Sequence, residues 1–396
     1  MLGPQTMQHA HGKPPFLAGL GGFRALAVAA VLVGHAASWL TPLPGLPALH
    51  APLARLTQCG LSGFFVLSGF VLQYNYGARP ITGLRGLGRF ATARLSRIHP
   101  VYLLLLTVSL TDIFIRFGRP WEVPGFCQSV LAALTLTQSW FFVAEAPSVY
   151  PLAWAVSTEV FFYLLFPILT RGVSALASRR AACCAGLAAL GAAVGLDACI
   201  SAHWPALFAW ALRAHPALAG DQPRLAGLLF EWLTYTSPYC RLFEFIAGMA
   251  TARLFVLGGR PPAWLAPAAA TLLAVLLCVP APEDWFFFAI LKNNALYAPA
   301  LAALCLSLAV RPPSFASNRL ISHIAGASLS IYLVQPFALE PWKHLFAPTG
   351  PLWPMAALAG MAATIAAGIL LARFVEAPAA RWIGGRRGKN ARGETL

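Results

Sequence analysis

Apolar segments of membrane-crossing length recur along nearly the whole chain, at 23–41, 59–77, 98–117, 152–171, 181–202, 240–257, 264–281, 294–310, 321–346 and 353–375. A hydrocarbon core about 30 Å thick takes roughly 20 helical residues to cross. In lipid every backbone polar group must find its partner within the protein, which confines a chain of such segments to a helix bundle. With 58% of its 396 residues hydrophobic, 10% charged and a mean hydropathy of +0.68, the chain has too much apolar surface for one soluble core. The expectation is an all-α, polytopic bundle of about ten transmembrane helices. It forms one integral-membrane domain over residues 1–396, with an N-terminal tail at 1–20, a basic cytoplasmic tail at 383–396 and no fused soluble domain.

Charge sets the orientation. The net charge of +15 sits in short loops between the apolar runs, where it reads as a topology signal and not as a nucleic-acid surface. Arg79, Arg85, Arg89, Arg94 and Arg97 mark 79–97 as cytoplasmic. A further polar-apolar stretch, 126–143, carries Gln128, Thr135, Thr137, Gln138 and Ser139. If it does not cross, Arg171, Arg179, Arg180, Arg253, Arg260, Arg311, Arg319 and the basic tail all fall inside, and both termini are cytoplasmic; if it crosses, all of them move outside. Ten crossings is the consistent solution. It places 117–151 and 203–239 outside, with Trp121, Trp140, Trp204 and Trp232 as interfacial belt residues or as a platform for stacking sugars. The first twenty residues lack the pattern of a cleaved signal peptide. His9 and His11 form no more than a weak pair, the eight cysteines show no ligand-like spacing, and no metal site is expected.

Within this apolar frame the few ionisable residues stand out, because lipid makes each of them costly. Arg24 and His35 are eleven positions apart on the first segment, GFRALAVAAVLVGHAASWL. That spacing is about three helical turns, so the two share a face about 16 Å apart. Glu159 is the one acid in the apolar run from Leu152 to Thr170. Counting depth from the helix ends brings Glu159 level with His35, and a carboxylate on one imidazole nitrogen would make the other a better base. Arg94 and Arg97 share a helical face at the inner surface, where guanidinium forks suit phosphate and also serve as orientation signals. Glu244 and Arg241 read as a local pair at a helix end. Gly63 and Gly69, with Ser62 and Ser68, read as close packing of the second helix.

Several of these stretches together resemble a large family of integral-membrane acyltransferases, acyltransferase family three. The likeness is carried by GFRALAVAAVLVGH (22–35), GFFVLSGFVL (63–72), ARLSRIHPVYL (93–103), LAWAVSTEVFFYLLFP (152–167), RLFEFIAGM (241–249), ASLSIYLVQ (327–335) and VEAPAARW (375–382), in the family's order. By that resemblance His35 carries over as the catalytic histidine and Arg24 as its motif partner. Arg94 and Arg97 carry over as the basic pair that meets the donor nucleotide, and Glu159 as the glutamate of a conserved block. The chain departs from the pattern at Gly21, where many members have an acid, at Gln335, where many have a histidine, and at His99, which replaces a common aromatic residue.

The resemblance implies an acetyl-CoA-dependent O-acyltransferase of the bacterial inner membrane. Its partners would be acyl-CoA, membrane lipid and a glycan, lipid-linked or small-molecule acceptor, with no metal; homo-oligomerisation stays open. The alternative is a secondary transporter using Arg24, His35 and Glu159 as a substrate or proton path, though neither an internal half-repeat nor paired broken helices can be seen. The orientation is directly testable. In single-cysteine variants, Val130→Cys and Glu145→Cys should react with an impermeant reagent from outside, whereas Leu87→Cys and Leu176→Cys should not; external labelling at 176 would invert everything after 126–143.

Overall fold

The structure, a computed structural model, describes residues 15–39, 47–79, 81–145, 147–280, 286–345 and 353–382. Residues 1–14, which include His9 and His11, and the basic tail 383–396 lie outside the described residues. The elements are α1 (Ala18–Trp39), α2 (Pro47–Ala54), α3 (Leu56–Tyr76), α4 (Gly83–Phe117), α5 (Phe126–Thr135), α6 (Ala153–Ala175), α7 (Arg179–Ala202) and α8 (Trp204–Ala214), followed by α9 (Gln222–Glu231), α10 (Pro238–Val256), α11 (Leu265–Cys278), α12 (Phe286–Asn293), α13 (Ala298–Val310), α14 (Arg319–Gly326), α15 (Ser328–Leu345) and α16 (Trp353–Leu371). No strand occurs among the described residues.

Among the described residues, seven helical segments are long and apolar enough to cross a membrane, and α14 with α15, bent by 73°, makes an eighth. The protein is a multi-pass membrane protein. The other two segments read from the sequence as spans, α10 and α11, are also helical. They fall short on length or polarity: α11 has 14 residues, and α10 carries Arg241, Glu244 and Arg253. The basic stretch before Ile98 is not a loop but the first part of α4, which runs 35 residues from Gly83. Arginine is a good helix former and no glycine or proline interrupts Arg89–His99, so the basic stretch continues the helix.

The stretch 126–143 contains only the ten residues of α5. Ten residues of helix span about 15 Å, half of what a crossing needs. After α5 the chain turns at Leu136, which adopts φ 55°, and returns to α6 with Ser139, Ala144, Val149, Tyr150 and Leu152 buried. This returning segment packs on the second long non-spanning piece: Ala144, Ala211, Leu225 and Leu229 form a small core with Phe142 and Trp232 around it. Together the two pieces cover the N-terminal end of α6, where Trp140 Nε1 donates to the Ser157 carbonyl (3.1 Å) and Trp232 Nε1 to the Ser139 carbonyl (3.0 Å).

The centre of the bundle is the crossing of α3 and α10. A Cβ added at Gly69 would collide with the Phe245 carbonyl oxygen, and one added at Gly248 with the Val66 carbonyl oxygen. Each helix therefore presents a glycine to the other's backbone, the small-residue contact by which membrane helices approach. Gly63, the other glycine of the motif, is looser: an added Cβ would meet only side chains of Ala27, Leu301 and Phe23, at 3.6 Å. Gly248→Val should therefore destabilise the protein by about 3 kcal/mol, the upper end of ordinary overpacking, while Gly63→Ala should be tolerated. Thermal unfolding in detergent compares the two, and equal losses would place the tight contact elsewhere.

Candidate active site

A narrow cavity of about 110 Å³ lies in the middle of this frame. Arg24 of α1, Ser68 of α3, Arg94 and Arg97 of α4, Glu159 and Tyr163 of α6, and Ser328 and Tyr332 of α15 all line it. Four of the five residues singled out from the sequence thus meet in one place, although they come from three helices and span more than 130 positions. Periodicity explains the placement. Arg94 and Arg97 are one turn apart on α4, and Glu159 and Tyr163 are one turn apart on α6, so each helix turns two polar groups toward the same space.

The charges are matched, but unequally. Arg97 Nε donates to Glu376 Oε1 at 3.3 Å, and Ser330 Oγ donates to Glu376 Oε2 at 2.9 Å. Glu376 ends a π-helical turn, Ala372–Glu376, that continues α16; such turns often re-aim one side chain at a functional site. Arg94 Nη2 donates to the Tyr76 hydroxyl at 3.0 Å and its guanidinium lies 5.3 Å from that ring's centre. Arg94 Nε is buried without a hydrogen-bond partner among the described residues. Ser68 Oγ donates to Glu159 Oε1 at 3.1 Å. Three guanidinium groups against one carboxylate leave the lining cationic, with Glu376 held behind Arg97, and a cationic pocket of low dielectric favours an anionic ligand.

His35 is not among the residues lining this cavity. It is buried at the other end of α1, and its Nδ1 lies 2.5 Å from Oε1 of Gln335 on α15. The expected meeting of His35 with Glu159 is corrected here: Glu159 bonds Ser68 and shares the cavity with Arg24, a level about three turns away from His35. The reason is the returning segment 136–152. It folds over the start of α6, so depth counted from the helix end places Glu159 too near the surface.

Two partners escaped the sequence reading, and a third group was read as a pair without its burial. Gln335 was visible only as a departure inside the ASLSIYLVQ patch, and Glu376 only as part of VEAPAARW. The third is the pair Arg241–Glu244, which is local as expected (3.3 Å) but wholly buried. Ser62 Oγ donates to Glu244 at 2.6 Å, and the Arg241 guanidinium lies over the rings of Tyr235, Phe65 and Trp154 at 4.7–5.9 Å. Both serines of the α3 motif thus hold a carboxylate, Ser62 that of Glu244 and Ser68 that of Glu159.

Comparison with known proteins decides what kind of site this is. The family model described as an acyltransferase domain matches residues 17–373. The chain belongs to that acyltransferase family. It is 27% identical over 393 residues to the acyltransferase MdmB of Streptomyces mycarofaciens, covering 94% of this chain and 93% of that one. It is also 28% identical over 172 residues to the O-acetyltransferase OatA of Staphylococcus aureus strain NCTC 8325 / PS 47; that match covers 40% of this chain and 25% of the relative. No solved structure matches the chain. The protein is an acyltransferase.

Proposed function

We propose that this acyltransferase takes an acyl group, acetyl by preference, from acyl-CoA on the cytoplasmic side and transfers it to a hydroxyl of a glycan, glycolipid or small-molecule acceptor on the outer side of a bacterial inner membrane. The observation that carries the reading is the convergence of Arg24, Arg94 and Arg97 on one narrow intramembrane cavity. A cavity of 110 Å³ is too small for a nucleotide. The phosphates of coenzyme A would stay with the arginines of α4, and the pantetheine arm would carry the thioester inward. Tyr332 lines the cavity and Gln335 is one turn further along α15, about 4.5 Å in rise. The thioester would thus end close to His35.

His35 is the base in this scheme. With Gln335 presenting its carbonyl oxygen, Nδ1 carries the ring proton and Nε2 keeps the lone pair, an assignment that rests on the orientation of the amide. The acceptor oxygen attacks the thioester carbonyl as its proton passes to Nε2. The C–O bond forms, the C–S bond breaks, and the imidazolium returns the proton to the departing thiolate. Glu159 and Arg24 are assigned to the electrostatics of the cavity, with Arg24 facing the donor's negative charge. A transporter would need two broken helices at matching positions; the bend between α14 and α15 is the one the described helices show.

Purified protein given radiolabelled acetyl-CoA and a panel of hydroxylated acceptors should release coenzyme A only when an acceptor is present. His35→Ala should lower turnover by at least about 100-fold, the lower end of general-base catalysis, in a protein that still folds and inserts. Gln335→Leu should lower kcat while leaving the KM for the donor unchanged. Turnover of His35→Ala within about tenfold of the parent would remove the base role. Arg94, with donor capacity to spare, should contribute binding that ground and transition states share. Arg94→Ala should weaken acetyl-CoA binding by about 10- to 100-fold, equivalent to roughly 1.5–3 kcal/mol, and lysine should restore only part of it. Unchanged donor affinity would make α4 an orientation signal alone.

A further inference from the structure

Gln335 orients His35 in the reading above, yet the turn of α15 that carries Gln335 is poorly secured by its own helix. α15 starts afresh at Ser328 after the 73° bend, so α14 lends it no continuous ladder of hydrogen bonds. Pro336 follows Gln335 directly and lies inside the helix. It has no N–H for the carbonyl one turn back, that of Tyr332, and its ring crowds that carbonyl. Helices kink at such steps, and what packs around the kink then sets its angle.

Here the neighbour is the returning segment 136–152. Tyr150 Oη donates to the Leu333 carbonyl at 2.5 Å, and Tyr332 Oη donates to the Leu152 carbonyl at 3.0 Å. The tie is reciprocal, each side giving one hydroxyl and one carbonyl, and both tyrosines are buried. The Tyr150 ring also packs on Phe337, with centroids 5.7 Å apart. Leu333 and Phe337 lie one turn apart on either side of the Gln335–Pro336 step, so a single side chain spans the kink. Behind it stands Tyr102 of α4, stacked on Tyr150 at 6.0 Å, whose own hydroxyl donates to the Ala133 carbonyl at 2.8 Å. Tyr150 also lines an outer cavity of about 400 Å³ between residues 128–154 and 228–236, so its hydroxyl joins that wall to α15.

We propose that Tyr150 is a positioning residue for acyl transfer: its hydroxyl fixes the kinked turn of α15 and thereby holds Gln335 in register with His35. The proposal deepens the reading above and rests on it. Ring packing alone does not set the register, because a phenylalanine would fill the same space. The hydroxyl does, since a hydrogen bond weakens steeply as its angle and distance change. The same sensitivity applies at the other end of the turn. Gln335 Oε1 lies 2.5 Å from His35 Nδ1, and a small slip of α15 would break the contact that orients the imidazole.

The full chain in detergent is assayed for coenzyme A release from acetyl-CoA, with the best acceptor among methyl glucoside, N-acetylglucosamine, glycerol and hexanol. Tyr150→Phe keeps the ring and its packing and removes the hydroxyl. It should lower kcat at least about tenfold with the KM for acetyl-CoA unchanged, within the 100-fold that ångström-scale misplacement can cost. Tyr102→Phe removes a similar hydroxyl bond from the same stack but none to α15, and it should keep the parental kcat. Combined with Gln335→Leu, Tyr150→Phe should bring no further loss, because residues that act through one contact are not additive. A smaller loss in Tyr150→Phe, an equal loss in Tyr102→Phe, or losses that multiply in the double variant overturn this proposal alone. Parental kcat in Gln335→Leu overturns the role of Gln335 and this proposal with it. Release that none of the four acceptors stimulates overturns the acyl-CoA reading as well.

Discussion

A charge in hydrocarbon has to be matched or neutralised, and the interior of this protein is arranged around that constraint. Arg241 and Glu244 are the plainest case: both are wholly buried, tied to each other and to Ser62, with three aromatic rings around the guanidinium. Removing one partner of such a pair strands the other, at a cost of about 3–5 kcal/mol. The pair therefore fixes how α10 sits against α3 and α6. The aromatic faces that surround Arg241 include Trp154, which also lines the outer cavity. One matched charge in the bundle thus lies against a ring that lines the outer cavity.

The same constraint explains why the cationic cavity is left partly unmatched. Arg97 is neutralised by Glu376, which the π-turn after α16 brings into reach. Arg24 and Arg94 face a lining with the single carboxylate Glu159, and Arg94 Nε has no partner among the described residues. A fully neutralised cavity would be stable and inert. Arg24, Arg94 and Arg97 give the lining an excess of guanidinium over carboxylate, and such a lining favours an anion.

The sequence made the ionisable residues legible because lipid makes them rare. Arg24 and Glu159 could be picked from an apolar background, whereas Arg94 and Arg97 stood in a run of arginines and were singled out by the family resemblance; the fold then brought the four together. Partners that are neutral or distant left no such mark. Gln335 stood out only as a departure from the family pattern, 300 positions from His35, and nothing in either segment says that they touch. Depth along a helix was misread for a related reason. The returning segment 136–152 is too polar to be called a span and too buried to be a surface loop, so the true level of Glu159 depended on a tertiary contact. All ten segments read as spans are helical, but α10 and α11 show that helix existence is easier to read than crossing: one is too charged and the other too short for apolarity alone to decide.

α15 ties the two sides of the reaction together. Its first residues, Ser328 and Leu329, line the arginine cavity just after the 73° bend. One turn on, the Tyr332 hydroxyl donates to the Leu152 carbonyl at 3.0 Å, and the Leu333 carbonyl accepts from Tyr150. Gln335 follows at His35. The arginine cavity, the strap holding the outer segment, and the histidine are thus met in order along about 10 Å of one helix. Because the bend starts a new helix at Ser328, the positive end of its dipole falls at the arginine cavity. One stretch of α6 walls both cavities, Ala153 and Trp154 the outer one and Ala155, Val156 and Glu159 the arginine cavity, so α6 and α15 together set the spacing of the two cavities.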